Sequence, residues 1–248
     1  MKKKTKERKL TFWSLVVLAF FCFPLPPLSA GERLDVSYSD AAKDPLKKLD
    51  IYTPEKSEKK FPVLIHFHGG GWRTGDKKMN RKHGEFYAAN GIVFITVNYR
   101  LSPAVRHPAH IEDCAEAVNW VFKHLDELNG DPGRVFISGH SAGAHLASLL
   151  ATDPVYLKKY GISPSRLAGV IVVDTAGFDL TPGKHPLLFR SLVEKAFGSD
   201  ENVIKSASPL FRIEKGIQYP AFLILMSAER PYAVREANEF AEKLKKAG

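Results

Sequence analysis

Sulfur is scarce in this 248-residue sequence, with two cysteines and three methionines. Cys22 lies in an N-terminal leader and Cys114 inside a helical pattern. A chain freed of that leader therefore has no cysteine pair to oxidise, and Cys114 reads as a small buried apolar residue. Metal-ligand spacing is also missing. None of the nine histidines belongs to an H-E-x-x-H pair and no Cys/His cluster occurs, so nothing calls for a metal or another cofactor. The glycine-rich stretch "HGGGW" is not followed by Lys-Ser/Thr, which excludes a Walker-type phosphate loop. No apolar run approaches the roughly 20 residues that span a bilayer.

The longest such run, from Leu10 to Phe23, follows the basic opening "MKKKTKERK" and precedes "PLPPLSA". That order predicts a secretory signal peptide over residues 1–30 with cleavage after Ala30, and hence a periplasmic or secreted protein without stable membrane insertion. An uncleaved membrane anchor is the alternative. The leader carries six Lys/Arg and one Glu, so its removal brings the net charge from +9 to +4. No basic cluster interleaved with aromatics remains, and nucleic acid is not an expected partner. Oligomeric state leaves no mark in the sequence.

Residues 31–248 contain no repeat, low-complexity tract or domain linker and read as one domain. "FPVLIHF" (61–67), "GIVFITVNY" (91–99), "RVFIS" (134–138), "LAGVIVV" (167–173) and "YPAFLILM" (219–226) are apolar runs without polar alternation, as in strands covered on both faces. Between them, Ile111, Cys114/Ala115, Val118, Val121/Phe122, Leu125 and Leu128 recur at helical spacing, and "NGDPG" is expected to end that segment as a turn. Val234, Ala237, Phe240/Ala241 and Leu244 repeat the period. The alternation predicts an α/β fold with a mainly parallel sheet flanked by helices. Ligands bind such sheets beyond the carboxyl ends of their strands.

Ser141 falls at such an end. In "GHSAG" it stands between the strand "RVFIS" and the helix "AGAHLASLLA", with Gly139 and Gly143 leaving room for a sharp turn. A hydroxyl presented there is a candidate nucleophile. The glycines of "HGGGW" (68–72) follow an earlier strand, and their amides suit an oxyanion. Gly70, Gly71 and the N–H of Ala142 are the candidate donors.

The succession "HGGGW", "NYRLSP" (98–103), "DCAEAVNWV" (113–121) and "GHSAGAHLA" resembles the α/β-hydrolase superfamily, and within it the small carboxylesterases that include feruloyl-esterase-like and kynurenine-formamidase-like branches. The similarity covers roughly residues 45 to 248. It implies a serine hydrolase that cleaves small carboxylic esters through an acyl-enzyme on Ser141, with an acid and a catalytic His on later loops. An amidase or formamidase of the same fold is the alternative, as is a non-catalytic remnant or binding protein.

The later loops depart from that pattern. The last histidine is His185, so no His follows "YPAFLILM", and the loop that should carry the acid reads "MSAERPYAV". Either the chain is C-terminally incomplete, its last strand and helix missing, or it has no catalytic His. Glu229 is the nearest carboxylate and the tentative acid. Asp174 and Asp179 in "VVDTAGFDL" are alternatives, with Asp179 favoured as a turn residue. His140 is expected to point away from the Ser141 hydroxyl and His145 to pack or bond in the core. His68 would order the glycine loop, as the resemblance implies.

Overall fold

The computed structural model describes residues 31–39, 44–55, 57–183 and 185–248. The leader expected over residues 1–30 lies outside them. In chain order the strands are β1 (Gly31–Ser37), β2 (Lys48–Thr53), β3 (Phe61–Phe67), β4 (Val93–Val97), β5 (Gly130–His140), β6 (Gly169–Val173) and β7 (Ala221–Leu225). The helices are α1 (Arg81–Ala89), α2 (Ala109–Lys123), α3 (Ala142–Thr152), α4 (Pro154–Lys158), α5 (Leu187–Phe197), α6 (Glu201–Ser206) and α7 (Pro231–Ala247).

All strands join one sheet in the order β1-β2-β4-β3-β5-β6-β7. The pairs β1/β2 and β2/β4 are antiparallel and the others parallel. Four of the five apolar runs contain the strands β3, β4, β6 and β7, and the fifth, 134–138, lies inside the longer β5. β1 and β2 escaped the sequence reading because "GERLDVS" and "KLDIYT" are short and broken by charge, and β1 is largely exposed. Lys77 secures this antiparallel end of the sheet. Its side chain is 1% exposed and its Nζ donates to Asp50 at 2.7 Å and Asp35 at 2.6 Å.

The segment "NGDPG" corrects the expected turn. α2 stops at Lys123, the chain turns through 124–129, and Gly130 to Gly133 already belong to β5, where Gly130 is the partner of Phe61. Close packing selects the glycine, because a Cβ on Gly130 would lie 2.7 Å from Val63 Cγ2.

The main core lies on the face covered by α2, α3 and α7, where Val63, Ile65, Phe67, Val118, Leu146 and Phe240 are fully buried. Cys114 is buried there with a free thiol. On the opposite face Ala88 of α1 packs with Tyr52, Leu64 and Phe94. Near β7 that face is open: Leu223 and Leu225 are 53% and 48% exposed, while Phe222 meets Phe240 of α7 on the other side. No helix among the described residues is long and apolar enough to cross a membrane.

β3 pairs with β4 on one side and β5 on the other, so the strand order reverses between β3 and β5. Beyond the carboxyl ends of strands at such a reversal, the connections leave in opposite directions and open a crevice. "HGGGW" follows β3 and Ser141 follows β5, so both motifs reach the same crevice.

Candidate active site

Ser141 has φ 52° and ψ −116°, a conformation that L-residues seldom adopt and that persists where surrounding contacts impose it. Its N–H donates to Val173 O at 2.9 Å, tying it to β6, and its carbonyl accepts from His145 N at 3.1 Å, opening α3. The flanking glycines are sterically required. A Cβ on Gly139 would fall 2.2 Å from the Gly143 carbonyl carbon, and one on Gly143 would fall 2.0 Å from Phe67 O. That contact presses the start of α3 against the end of β3, and so brings the serine to the glycine loop.

The loop itself arrives at the serine through Gly69. A Cβ there would lie 3.3 Å from Ser141 Cβ and 2.9 Å from His140 Nδ1. Gly70, Gly71 and Trp72 all have positive φ, and Gly70 O accepts from Arg73 N and Thr74 N, each at 3.1 Å. The amides of Gly70, Gly71 and Ala142 donate to no backbone or side-chain acceptor, which leaves them free for a ligand. His68 holds the base of the loop. Its Nδ1–H donates to Gly69 O at 2.8 Å, its carbonyl accepts from Tyr99 Oη at 2.9 Å, and its ring stacks on Tyr99. Sequence reasoning singled out Gly70 and Gly71 but not Gly69, because three adjacent glycines look alike until the facing loop is in place.

Trp72 anchors the far end of the loop. Its indole N–H donates to His145 Nδ1 at 3.2 Å, and His145 Nε2–H donates to Ala207 O at 2.8 Å. Both nitrogens of His145 are thereby used, and burial pushes its pKa down to about 3. His145 therefore holds the loop against α3 as a neutral ring. α5 packs on the outside of the loop, through Phe197 and Phe189 against Trp72 and Leu192 against Gly71.

All nine histidines are among the described residues, and none hydrogen-bonds the Ser141 hydroxyl. His66 is paired with Ser138 Oγ at 2.9 Å and His110 with Ser102 Oγ at 3.0 Å. His185 uses Nε2 on Asp179 O and Nδ1 toward Glu236. His140 is exposed and, with His66, His68, His83 and Tyr87, lines a cavity of about 390 Å³ that reaches Gly69 on the open face of the sheet. A second cavity, of about 430 Å³, lies beside α5 and has neither Ser141 nor the loop glycines in its wall. Among the described residues no group of three or more His, Cys, Asp or Glu is placed to hold a metal ion.

The three carboxylates considered from sequence lie in different settings. Glu229 is exposed in the β7–α7 loop, and only its backbone N–H is engaged, by Ser227 Oγ. Asp179 is fully buried and caps its own turn, Oδ1 accepting from Thr181 N and Oγ1. Asp174, directly after β6, pairs with Arg230 at 2.5 Å and accepts from Ser227 N at 3.1 Å. Burial opposes its charge, but the Arg230 hydrogen bond, the Ser227 amide and the Arg230 charge together hold its pKa below the ordinary value.

The model of the BD-FAE family matches residues 49–244. The chain belongs to the BD-FAE family. Esterase LipC of Mycobacterium tuberculosis is 29% identical over 226 residues, covering 86% of this chain and 55% of LipC. Carboxylesterase NlhH of the same species is 33% identical over 128 residues, covering 51% of this chain and 39% of NlhH. The chain thus spans about half the length, or less, of these relatives. Among solved structures, inhibited esterase B of Lactobacillus rhamnosis superposes with a TM-score of 0.75 at 23% identity, covering 89% of this chain and 74% of the other. Esterase Est2 of Thermogutta terrifontis superposes with a TM-score of 0.68 at 25% identity, covering 88% and 78%. This BD-FAE chain has the α/β-hydrolase fold, its mostly parallel sheet open rather than closed into a barrel.

Proposed function

We propose that this BD-FAE chain is a carboxylesterase-type serine hydrolase acting on small carboxylic esters. One observation carries the reading: the strained Ser141 lies against Gly69, at the head of a loop whose next amides are free. The esterases among its relatives and structural neighbours support it. In the reaction Ser141 Oγ attacks the ester carbonyl carbon and gives its proton to a base. The oxyanion of the tetrahedral intermediate takes hydrogen bonds from Gly70, Gly71 and Ala142. Collapse breaks the bond to the alcohol oxygen, which leaves with the proton, and water then releases the acid by the same steps. One leaving-group oxygen, one proton and one water are exchanged, and no redox partner is needed.

None of the nine histidines of this sequence sits on Ser141, so the serine turn and the free amides are the parts of this machinery that the described residues supply. In serine hydrolases stripped of a triad member, such features retain about 10³–10⁴-fold acceleration over water. The test is hydrolysis of p-nitrophenyl acetate and labelling by a fluorophosphonate. Both should depend on Ser141, and a Ser141→Ala variant that reacts as fast as the parent refutes the reading. The leader supports a further proposal, export from the cytoplasm, which N-terminal sequencing of the mature protein checks: it should begin at Gly31.

A further inference from the structure

We propose that Asp174, not a carboxylate of the β7–α7 loop, orients the imidazole that acts on Ser141, with Arg230 as its anchor. The inference rests on the hydrolytic reading above.

Position comes first. His140 and Val173 are register partners in the parallel pair β5/β6, so Ser141 and Asp174 are the next residues on two strands about 4.8 Å apart. Both leave the sheet with φ 52°. The two backbones break from the strand conformation at the same level, on either side of the Ser141 N–H bond to Val173 O. A left-handed aspartate directly opposite a left-handed serine is a costly arrangement, and such outliers concentrate where side chains must be aimed.

Preorganisation comes second. Asp174 N–H is fixed by Leu225 O at 2.8 Å, and Arg230 Nη2 binds both the Asp174 carbonyl, at 2.6 Å, and its carboxylate. Ser227 N–H takes the other carboxylate oxygen. Two donors thus hold the carboxylate and two further bonds fix the backbone that carries it, while the side chain stays 26% exposed and open to a further donor. Glu229, two residues beyond Ser227, has no such support. A carboxylate fixed in this way accepts an imidazole N–H, leaves the other ring nitrogen facing the serine, and stabilises the imidazolium formed when the proton arrives.

The experiment uses the 248-residue chain with small imidazoles as the probe. Hydrolysis of p-nitrophenyl acetate is measured with imidazole and with 1-methylimidazole, subtracting the Ser141→Ala rate. Imidazole should raise the Ser141-dependent rate about tenfold or more, and 1-methylimidazole far less, since it has no N–H to donate to Asp174. Asp174→Asn should lower the imidazole-stimulated rate about tenfold or more and bring the ratio of the two reagents toward one. Asp174→Glu should keep part of that ratio, and Glu229→Gln all of it. If Asp174→Asn does not fold, the double variant D174N/R230Q removes the unpaired charge and is read in the same way. Where the parent turns over without added imidazole, the variants are read on that rate and on its acid limb, which moves to lower pH when the carboxylate is lost. A folded Asp174→Asn with an unchanged ratio and acid limb overturns the inference, as does a collapse caused by Glu229→Gln. No Ser141-dependent rate under any condition refutes the hydrolytic reading itself and the inference with it.

Discussion

Gly69 faces Ser141 so closely that a Cβ built on it would lie 3.3 Å from Ser141 Cβ, although 72 positions separate the two residues in the chain. The contact follows from β3 and β5 being neighbours at the point where the strand order reverses. It makes the loop's distance from the serine sensitive to a single methyl group.

Gly69→Ala should push the loop off Ser141. The new methyl would meet His140 O at 3.0 Å and His140 Nδ1 at 2.9 Å, so the glycine amides move relative to the oxyanion they would bind. Losing one oxyanion donor costs about 10²–10³ in rate. Fluorophosphonate labelling of Ser141 should slow by about tenfold or more, with little change in the melting temperature. Equal labelling rates would show that the loop has no part in the reaction.

Gly143→Ala should act on folding instead. Its methyl would fall 2.0 Å from Phe67 O, a backbone atom that cannot rotate away. Separating α3 from β3 should cost about 3 kcal/mol, at the upper end of overpacking. A lowered urea midpoint would report it, and a midpoint equal to that of the parent would mean that α3 does not press on β3 as described.

Lys77→Met tests the antiparallel end of the sheet. It would leave Asp50, 1% exposed, without its cation. Breaking a buried pair from one side costs about 3–5 kcal/mol. The double variant K77M/D50L should recover much of that stability in urea unfolding, since it strands no buried charge and leaves only the exposed Asp35 without its cation.

Acid should destabilise the protein well above the usual carboxylate range. Burial lowers the pKa of His66 and His145 to about 3 and of His107 and His110 to about 4. In the unfolded chain these rings take up protons below about pH 6.5. Between that pH and the folded values the unfolded state binds more protons. Stability therefore falls as the pH is lowered, by about 1.4 kcal/mol per unit for each ring. Urea midpoints should drop steadily from pH 6.5 to 4, and His107→Gln should reduce the slope by about one proton. A flat profile would mean that these rings ionise freely in the folded protein.

Periodicity and motif spacing made much of the molecule legible in advance. Unbroken apolar runs gave β3 to β7, and recurrence every three or four residues gave α2 and α7. Charge within β1 and β2 hid those strands, and β5 began at Gly130 because a glycine that looks like a turn residue was needed there for packing. For the candidate site, "GHSAG" and "HGGGW" could be read because strand, turn and glycine are local properties.

The chain order alone determined that a serine would stand on a constrained turn and that a glycine loop would follow an earlier strand. Tertiary structure decided which glycine meets the serine, that His145 is committed to Trp72 and Ala207, and that Asp174 is held by Arg230 while Glu229 faces solvent. The physical reason is range. Steric limits on one turn act between adjacent residues, whereas the partners of a carboxylate 56 positions from its arginine are chosen only when β6 and β7 lie side by side.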